Sequence, residues 1–279
     1  MGGADRNNPI VAGDEVDVLS QGDSHTIEAL LPRRTLIERG SQKRRGGTHT
    51  IVANMDHALV VFAASQPRSR VSGIDRYLVA CEYQNLEVTL VFNKWDIADE
   101  ESKTLAELYE KAGYTVLRTR ALEEPEITRK AILEIPFVKI YVLGPSGVGK
   151  SSITNALLPG HGAATGEVNE VTGKGRQTTT HIELVQLVVG RYLADTPGLG
   201  HLAMLGIEPE NLKNFYREMF ALAPQCRYPN CLHLQEPDCA VKAELNLRVS
   251  PERYQSYCDF YADLVGELQE KLNRGPTRK

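Results

Sequence analysis

The stretch Phe137-Val-Lys-Ile-Tyr-Val-Leu143, followed at once by Gly144-Pro145-Ser146-Gly147-Val148-Gly149-Lys150-Ser151-Ser152, decides the fold. A largely apolar run that stops at glycine reads as a buried strand. The glycines lead into Lys150–Leu157, whose pattern is helical. Strand, glycine loop and helix in that order are the context in which GxxxxGK[ST] is a phosphate-binding loop. Glycine lets the backbone wrap the phosphates, with loop N–H groups and the helix N-terminus facing negative charge. Lys150 would reach the β- and γ-phosphates, and Ser151 would ligate Mg²⁺. A fortuitous glycine-rich turn would leave the flanking strand and helix unexplained.

Downstream, Asp195-Thr196-Pro197-Gly198 follows the short apolar segment Tyr192–Ala194, 45 residues after Lys150. At that distance DxxG reads as a switch rather than an ordinary turn. Asp195 would hold Mg²⁺ through water, and the Gly198 N–H would sense the γ-phosphate. A threonine closing over the metal is expected in Gly175-Arg-Gln-Thr178-Thr179-Thr180, at Thr179 or Thr180. Upstream, Asn93-Lys94-Trp95-Asp96 ends the largely apolar run Val88–Phe92. Guanine offers N1–H and N2–H to one carboxylate, whereas adenine offers an acceptor at N1. Asp96 would therefore reject adenine by being left unpaired. Asn93 precedes Gly144 by 51 residues, the reverse of the usual order. The pattern predicts a circularly permuted nucleotide domain whose switch leads straight into a C-terminal appendage.

Apolar strands alternate with amphipathic helices through this region, which implies a doubly wound α/β domain over residues 53–207. Its second helix is expected over Asp99–Ala112, with Leu105, Leu108 and Ala112 on one face and Gly113 as its stop. Before it, residues 1–52 read as short strands at Val16–Val18, Thr26–Leu31 and Thr48–Val52, a small barrel or part of one. After it, residues 208–279 read as helical. There Cys226-x₄-Cys231-x-His233-x₅-Cys239 offers three thiolates and an imidazole, the donor set of one closed, structural Zn²⁺ site. In the last helix Tyr254, Tyr257, Tyr261, Leu264, Leu268 and Leu272 recur at three- and four-residue spacing, which reads as a packing face.

With 279 residues, 42% apolar and 24% charged, the chain has ordinary globular composition and length for about two domains. Its longest apolar run, Ala58–Ala64, and the largely apolar Leu184–Val189 fall well short of the ~20 residues of a membrane helix. No basic n-region and apolar h-region open the sequence, so a cytoplasmic, membrane-free protein is expected. An odd count of five cysteines argues against a disulfide framework. The net charge of −4 hides a basic run from Arg33 to Arg45, which reads either as a phosphate-contacting segment or as a solvated loop.

The order NKxD, GPSGVGKSS, TTT, DTPG and CxxxxCxHxxxxxC resembles the ribosome small-subunit-dependent GTPases of the RsgA/YjeQ family. Ile51-Val-Ala-Asn-Met-Asp56, Ile74-Asp-Arg-Tyr-Leu78 and Glu236-Pro-Asp-Cys-Ala-Val-Lys242 agree with it. The resemblance implies an N-terminal OB-fold, a permuted GTPase domain and a C-terminal zinc domain. It also implies a monomer that binds the 30S subunit and its 16S rRNA in late maturation, with GTP hydrolysis to GDP stimulated there. The GDxV element stands at residues 13–16, so the OB-fold is expected to lack its first strands. The family's serine-rich base loop reads Arg118-Thr-Arg-Ala121 here, and Leu199 stands where many GTPases carry the water-orienting glutamine.

Overall fold

A computed structural model describes residues 10–39, 49–160, 182–195 and 206–273. At its centre lies β5 (His57–Ala63), in which every residue is buried. Period-two alternation divides it between two cores. Ala58, Val60 and Phe62 pack with Ile74, Leu78 and Tyr109 on one face of the sheet. On the other, Leu59, Val61 and Ala63 pack with Ile132, Ile153 and Leu157. Burial on both faces is why this run is continuously apolar.

Among the described residues, six strands form the sheet in the order β7 (Thr115–Arg118), β6 (Glu87–Asn93), β5, β8 (Lys139–Leu143), β10 (Arg191–Asp195) and β9 (Glu183–Val188). All neighbours are parallel except β9, which pairs antiparallel with β10 at the edge. The chain runs outward from β5 through α1 (Val71–Tyr83), β6, α2 (Glu100–Lys111) and β7. It then returns through α3 (Pro125–Leu133) to lay β8 on the other side of β5, before α4 (Lys150–Leu157). That reversal puts a ligand crevice at the carboxyl ends of β5 and β8. The predicted strands and helices of this region all form. In α2, however, the fully buried stripe is Ser102, Ala106 and Tyr109, with Leu105 and Leu108 at its margin. Asp99 caps it by accepting from the Ser102 amide at 2.9 Å, and Gly113 follows with φ +89°.

The N-terminal strands form two hairpins, β1 (Val16–Gln21) with β2 (Ser24–Leu30), and β3 (Leu36–Arg39) with β4 (His49–Ala53). Among the described residues they remain two separate two-stranded sheets rather than a closed barrel. The strand β3 lies inside the basic run, where the charges hide its Leu36-Ile37 pair. Two of those charges also have local partners. Arg33 grips Asp14 with two hydrogen bonds, Nε to Oδ1 at 2.6 Å and a terminal nitrogen to Oδ2 at 2.8 Å, and Arg34 reaches Glu15 at 2.7 Å. The side chains of Arg33 and Asp14 are 8% and 1% exposed, so this end of the run is structural.

The C-terminal region has its own core, built from Leu212, Tyr216, Met219, Leu222, Tyr257, Phe260 and Leu264, and Val79 of α1 joins it. Its helices are α5 (Arg217–Leu222), α6 (Ala240–Ala243) and α7 (Pro251–Asn273). The expected stripe on α7 packs only as far as Leu264; Leu268 and Leu272 are exposed. One feature of the junction has no sequence signature. Arg253 of α7, 1% exposed, bonds Asp75 of α1 and Glu218 of α5, the latter at 2.5 and 3.0 Å. Tyr109, Tyr114 and Tyr216 surround its guanidinium, with ring centroids 5.1–5.6 Å away.

Candidate functional site

The residues of the nucleotide motifs converge on the carboxyl edge of the sheet. Register pairs Ala63 with Asn93 and Val60 with Leu143, so the Asn93 and Gly144 loops leave β6 and β8, the two strands that flank β5, at one end of the sheet. The tight approach fixes the glycines. A Cβ on Gly144 (φ +142°) would stand 2.1 Å from the Val61 carbonyl oxygen, and one on Gly149 (φ +94°) 2.2 Å from Asn93 Nδ2. Neither position can carry a side chain.

Three carbonyls of the loop are held by side chains. Lys150 Nζ donates to Pro145 O at 2.6 Å, Lys94 Nζ to Gly147 O at 2.8 Å, and Asn93 Nδ2 to Val148 O at 3.1 Å. The first-turn amides of α4, from Lys150 through Ser151 and Ser152, have no intrahelical acceptors and face this loop. Burial pulls the Lys150 ammonium below its ordinary range. Ser146, Gly147 and Ser151 are exposed and accessible to a ligand.

Asn93 is buried, and its amide is nearly used up. Its Oδ1 accepts from Thr119 Oγ1 and from the Ala121 amide, both at 3.1 Å, while Nδ2 holds Val148 O. An asparagine amide has two donors and two acceptor sites, so these three bonds leave one donor. Its chief work is to tie the phosphate loop to the Arg118–Ala121 loop. Lys94 sits in the left-handed region (φ +59°) and turns the chain so that Asp96 emerges exposed. Trp95 packs edge-on to Phe92, with the Arg118 guanidinium 5.3 Å from its ring centroid. Arg120, the departure in the base loop, is exposed and paired with Glu124 at 2.9 Å. Beside the loop a cleft of about 590 Å³ is lined by Phe62, Tyr77, Arg68, Arg70, Arg76 and Ser146, a basic wall the motifs do not announce.

Asp195 ends β10, whose Ala194 pairs with Tyr141 two residues before β8 ends. Thr179, Thr180 and Gly198 lie outside the described residues, as do Leu199 and the basic residues 43–45.

The second site lies in the C-terminal region. The ligand atoms of Cys226, Cys231, His233 and Cys239 fall within 4.8 Å of one another. His233 Nδ1 is 3.6 Å from Cys226 Sγ and 3.4 Å from Cys239 Sγ. A tetrahedral ion with Zn–S near 2.3 Å separates its ligand atoms by about 3.5–3.8 Å, so the four residues fit one zinc. His233 adopts φ +60°, a conformation a non-glycine residue takes when its surroundings demand it. Burial lowers the pKa of its imidazole, keeping the ring neutral as a ligand must be.

The comparisons agree with this geometry. A family model described as RsgA GTPase matches residues 30–205, more than half of the chain. The chain is 37% identical to the small ribosomal subunit biogenesis GTPase RsgA of Carboxydothermus hydrogenoformans, covering 94% of this chain and 87% of that one. It is 34% identical to its counterpart in Thermotoga petrophila, covering 95% and 87%. Among solved structures it resembles YjeQ from Thermotoga maritima, with a TM-score of 0.73 and 30% identity over 94% of this chain and 86% of that one. YloQ, described as a circularly permuted GTPase, aligns with a TM-score of 0.72 and 26% identity over 98% and 84%. With the reversed motif order and the converged loops, these matches establish that the chain belongs to the RsgA GTPase family.

Proposed function

We propose that this protein hydrolyses GTP to GDP and phosphate in the biogenesis of the small ribosomal subunit, and that the subunit stimulates the reaction. The observation that carries this reading is the convergence of Asn93, Lys94 and the Gly144–Ser152 loop at one sheet edge, despite their inverted order in the chain. In this reading the loop amides and Lys150 bind the phosphates, Ser151 and Asp195 hold Mg²⁺, and Thr179 or Thr180 and Gly198 respond to the γ-phosphate. Asp96 selects guanine. Leu199 cannot orient the attacking water, so intrinsic turnover is slow and the subunit completes the site. Cys226, Cys231, His233 and Cys239 hold one structural Zn²⁺.

We divide the chain into an OB-fold-like part over 1–52, the permuted GTPase domain over 53–207 and the zinc domain over 208–279. A monomer engaging 16S rRNA in the cytoplasm is the matching physiological picture. Among the described residues no helix is long and apolar enough to cross a membrane.

The test is phosphate release from GTP with and without purified small subunits, with ATP as control. GTP-specific stimulation is expected; equal ATP turnover, or no stimulation, overturns the reading. A second test probes the base. Asp96→Asn turns one acceptor into a donor facing the guanine N–H groups. Loss of a charge-assisted hydrogen bond, about 1.5–3 kcal/mol, lowers GTP affinity roughly ten- to a hundredfold. Calorimetric titration of GTP measures the loss.

A further inference from the structure

Four consecutive carbonyls of the metal loop each accept a hydrogen bond from a side chain outside it. Lys213 Nζ donates to Cys231 O at 2.9 Å, Tyr257 Oη to Leu232 O at 2.5 Å, Tyr254 Oη to His233 O at 2.7 Å, and Lys242 Nζ to Leu234 O at 3.2 Å. The intervening amides are held as well. Leu232 N and Leu234 N donate to the two carboxylate oxygens of Glu236 at 2.6 and 2.9 Å. Two of the four ligands, Cys231 and His233, are therefore fixed from three directions: the segment Pro209–Phe215, α6 and α7. His233 carries the left-handed backbone at the middle of this arrangement.

A loop that only needed its carbonyls satisfied could use water, and it would not need a strained histidine. The donors hold the conformation that turns His233 Nδ1 toward Cys226 and Cys239. We propose that Tyr254 and Tyr257, with Lys213 and Lys242, are positioning residues that hold Cys231 and His233 in ligating geometry, so that metal affinity depends on phenol groups that never touch the ion. The inference rests on the zinc reading above and adds to it which residues tune the site. It also gives the tyrosine stripe of α7 a second role. Tyr254 and Tyr257 face the metal loop with their hydroxyls, whereas Tyr261 lies against Tyr257 with the rings tilted by 43° and donates to no loop carbonyl.

The test uses the full chain and needs no enzymatic readout. Zinc affinity is measured by competition with a chromophoric chelator for the wild type, Y254F, Y257F, the double variant and Y261F. Outer-shell hydrogen bonds to metal sites are worth roughly ten- to a hundredfold in affinity. Y254F is expected to weaken zinc binding about tenfold and the double variant about a hundredfold, with Y261F unchanged. Cobalt substitution supplies the geometric readout, because its ligand-field bands follow the ligand arrangement and should shift in the double variant alone.

If the double variant fails to fold, Y254F alone carries the test. Zinc affinity within twofold of wild type in a folded Y254F or Y254F/Y257F protein overturns the proposal while leaving the zinc site standing. A wild-type protein that binds no stoichiometric zinc overturns the underlying site, and the proposal with it.

Discussion

Arg253→Met is expected to destabilise the protein by about 3–5 kcal/mol, the usual cost of removing one partner from a buried ion cluster. The side chain is sealed between three tyrosine rings, and its partners Asp75 and Glu218 are 0% and 6% exposed at the side chain. Methionine matches the volume and packs against the rings, but it leaves two buried carboxylates facing each other. The loss will appear as a lower urea midpoint, read by far-UV circular dichroism.

The same physics fixes the pH dependence. Burial already pushes the Asp75 carboxyl up to about 6, with Arg253 pulling the other way. Without the guanidinium it rises further, while the unfolded carboxyl stays near 4. The native variant therefore takes up a proton that its unfolded chain does not, and its stability relative to wild type improves as pH falls from about 7.5 to 5.5. A deficit that is constant with pH would mean lost packing rather than uncompensated charge. Neutralising all three groups, as in D75N/E218Q/R253M, should recover much of the loss, because a buried cluster is worth little over neutral groups of similar shape.

Lys150→Ala is expected to lower GTP hydrolysis by about 10²–10³-fold, the scale set by removing one preorganised donor from a developing charge. Lys150 stands half-buried at the mouth of the phosphate loop, where limited solvent strengthens its attraction for phosphate oxygens. Its hydrogen bond to Pro145 O is partly exposed, so the thermal midpoint without nucleotide should move little. Steady-state phosphate release and a thermal scan of the same sample separate the two effects. Wild-type turnover in a folded K150A protein would remove the phosphate-loop assignment.

The strand, loop and helix around Gly144 were legible in the sequence because each answers to local chemistry. The strand is buried on both faces, Gly144 meets a backbone carbonyl and Gly149 the buried Asn93 amide, neither of which a side chain could clear, and the helix starts where its amides are wanted. The same holds for the cysteines and histidine that the fold gathers, whose donor types and spacing announce themselves. The strand β3 was not legible, because its Ile37 is buried through pairing with β4 and not through any periodicity of its own. Likewise, Arg33 reads as a surface cation until Asp14, 19 residues earlier, is seen to grip it.

The sequence by itself determined the nucleotide fold, its permuted order and the Cys226, Cys231, His233 and Cys239 set that could hold a metal, since all depend on residue type and short-range spacing. Only the tertiary structure decided that Asn93 ties two loops together, that Arg253 locks α7 to α1 across 178 residues, and that Tyr254 and Tyr257 hold the metal loop. The physical reason is common to all three. A buried polar side chain takes its role from whichever partner the fold brings to it, and those partners lie far away in the chain.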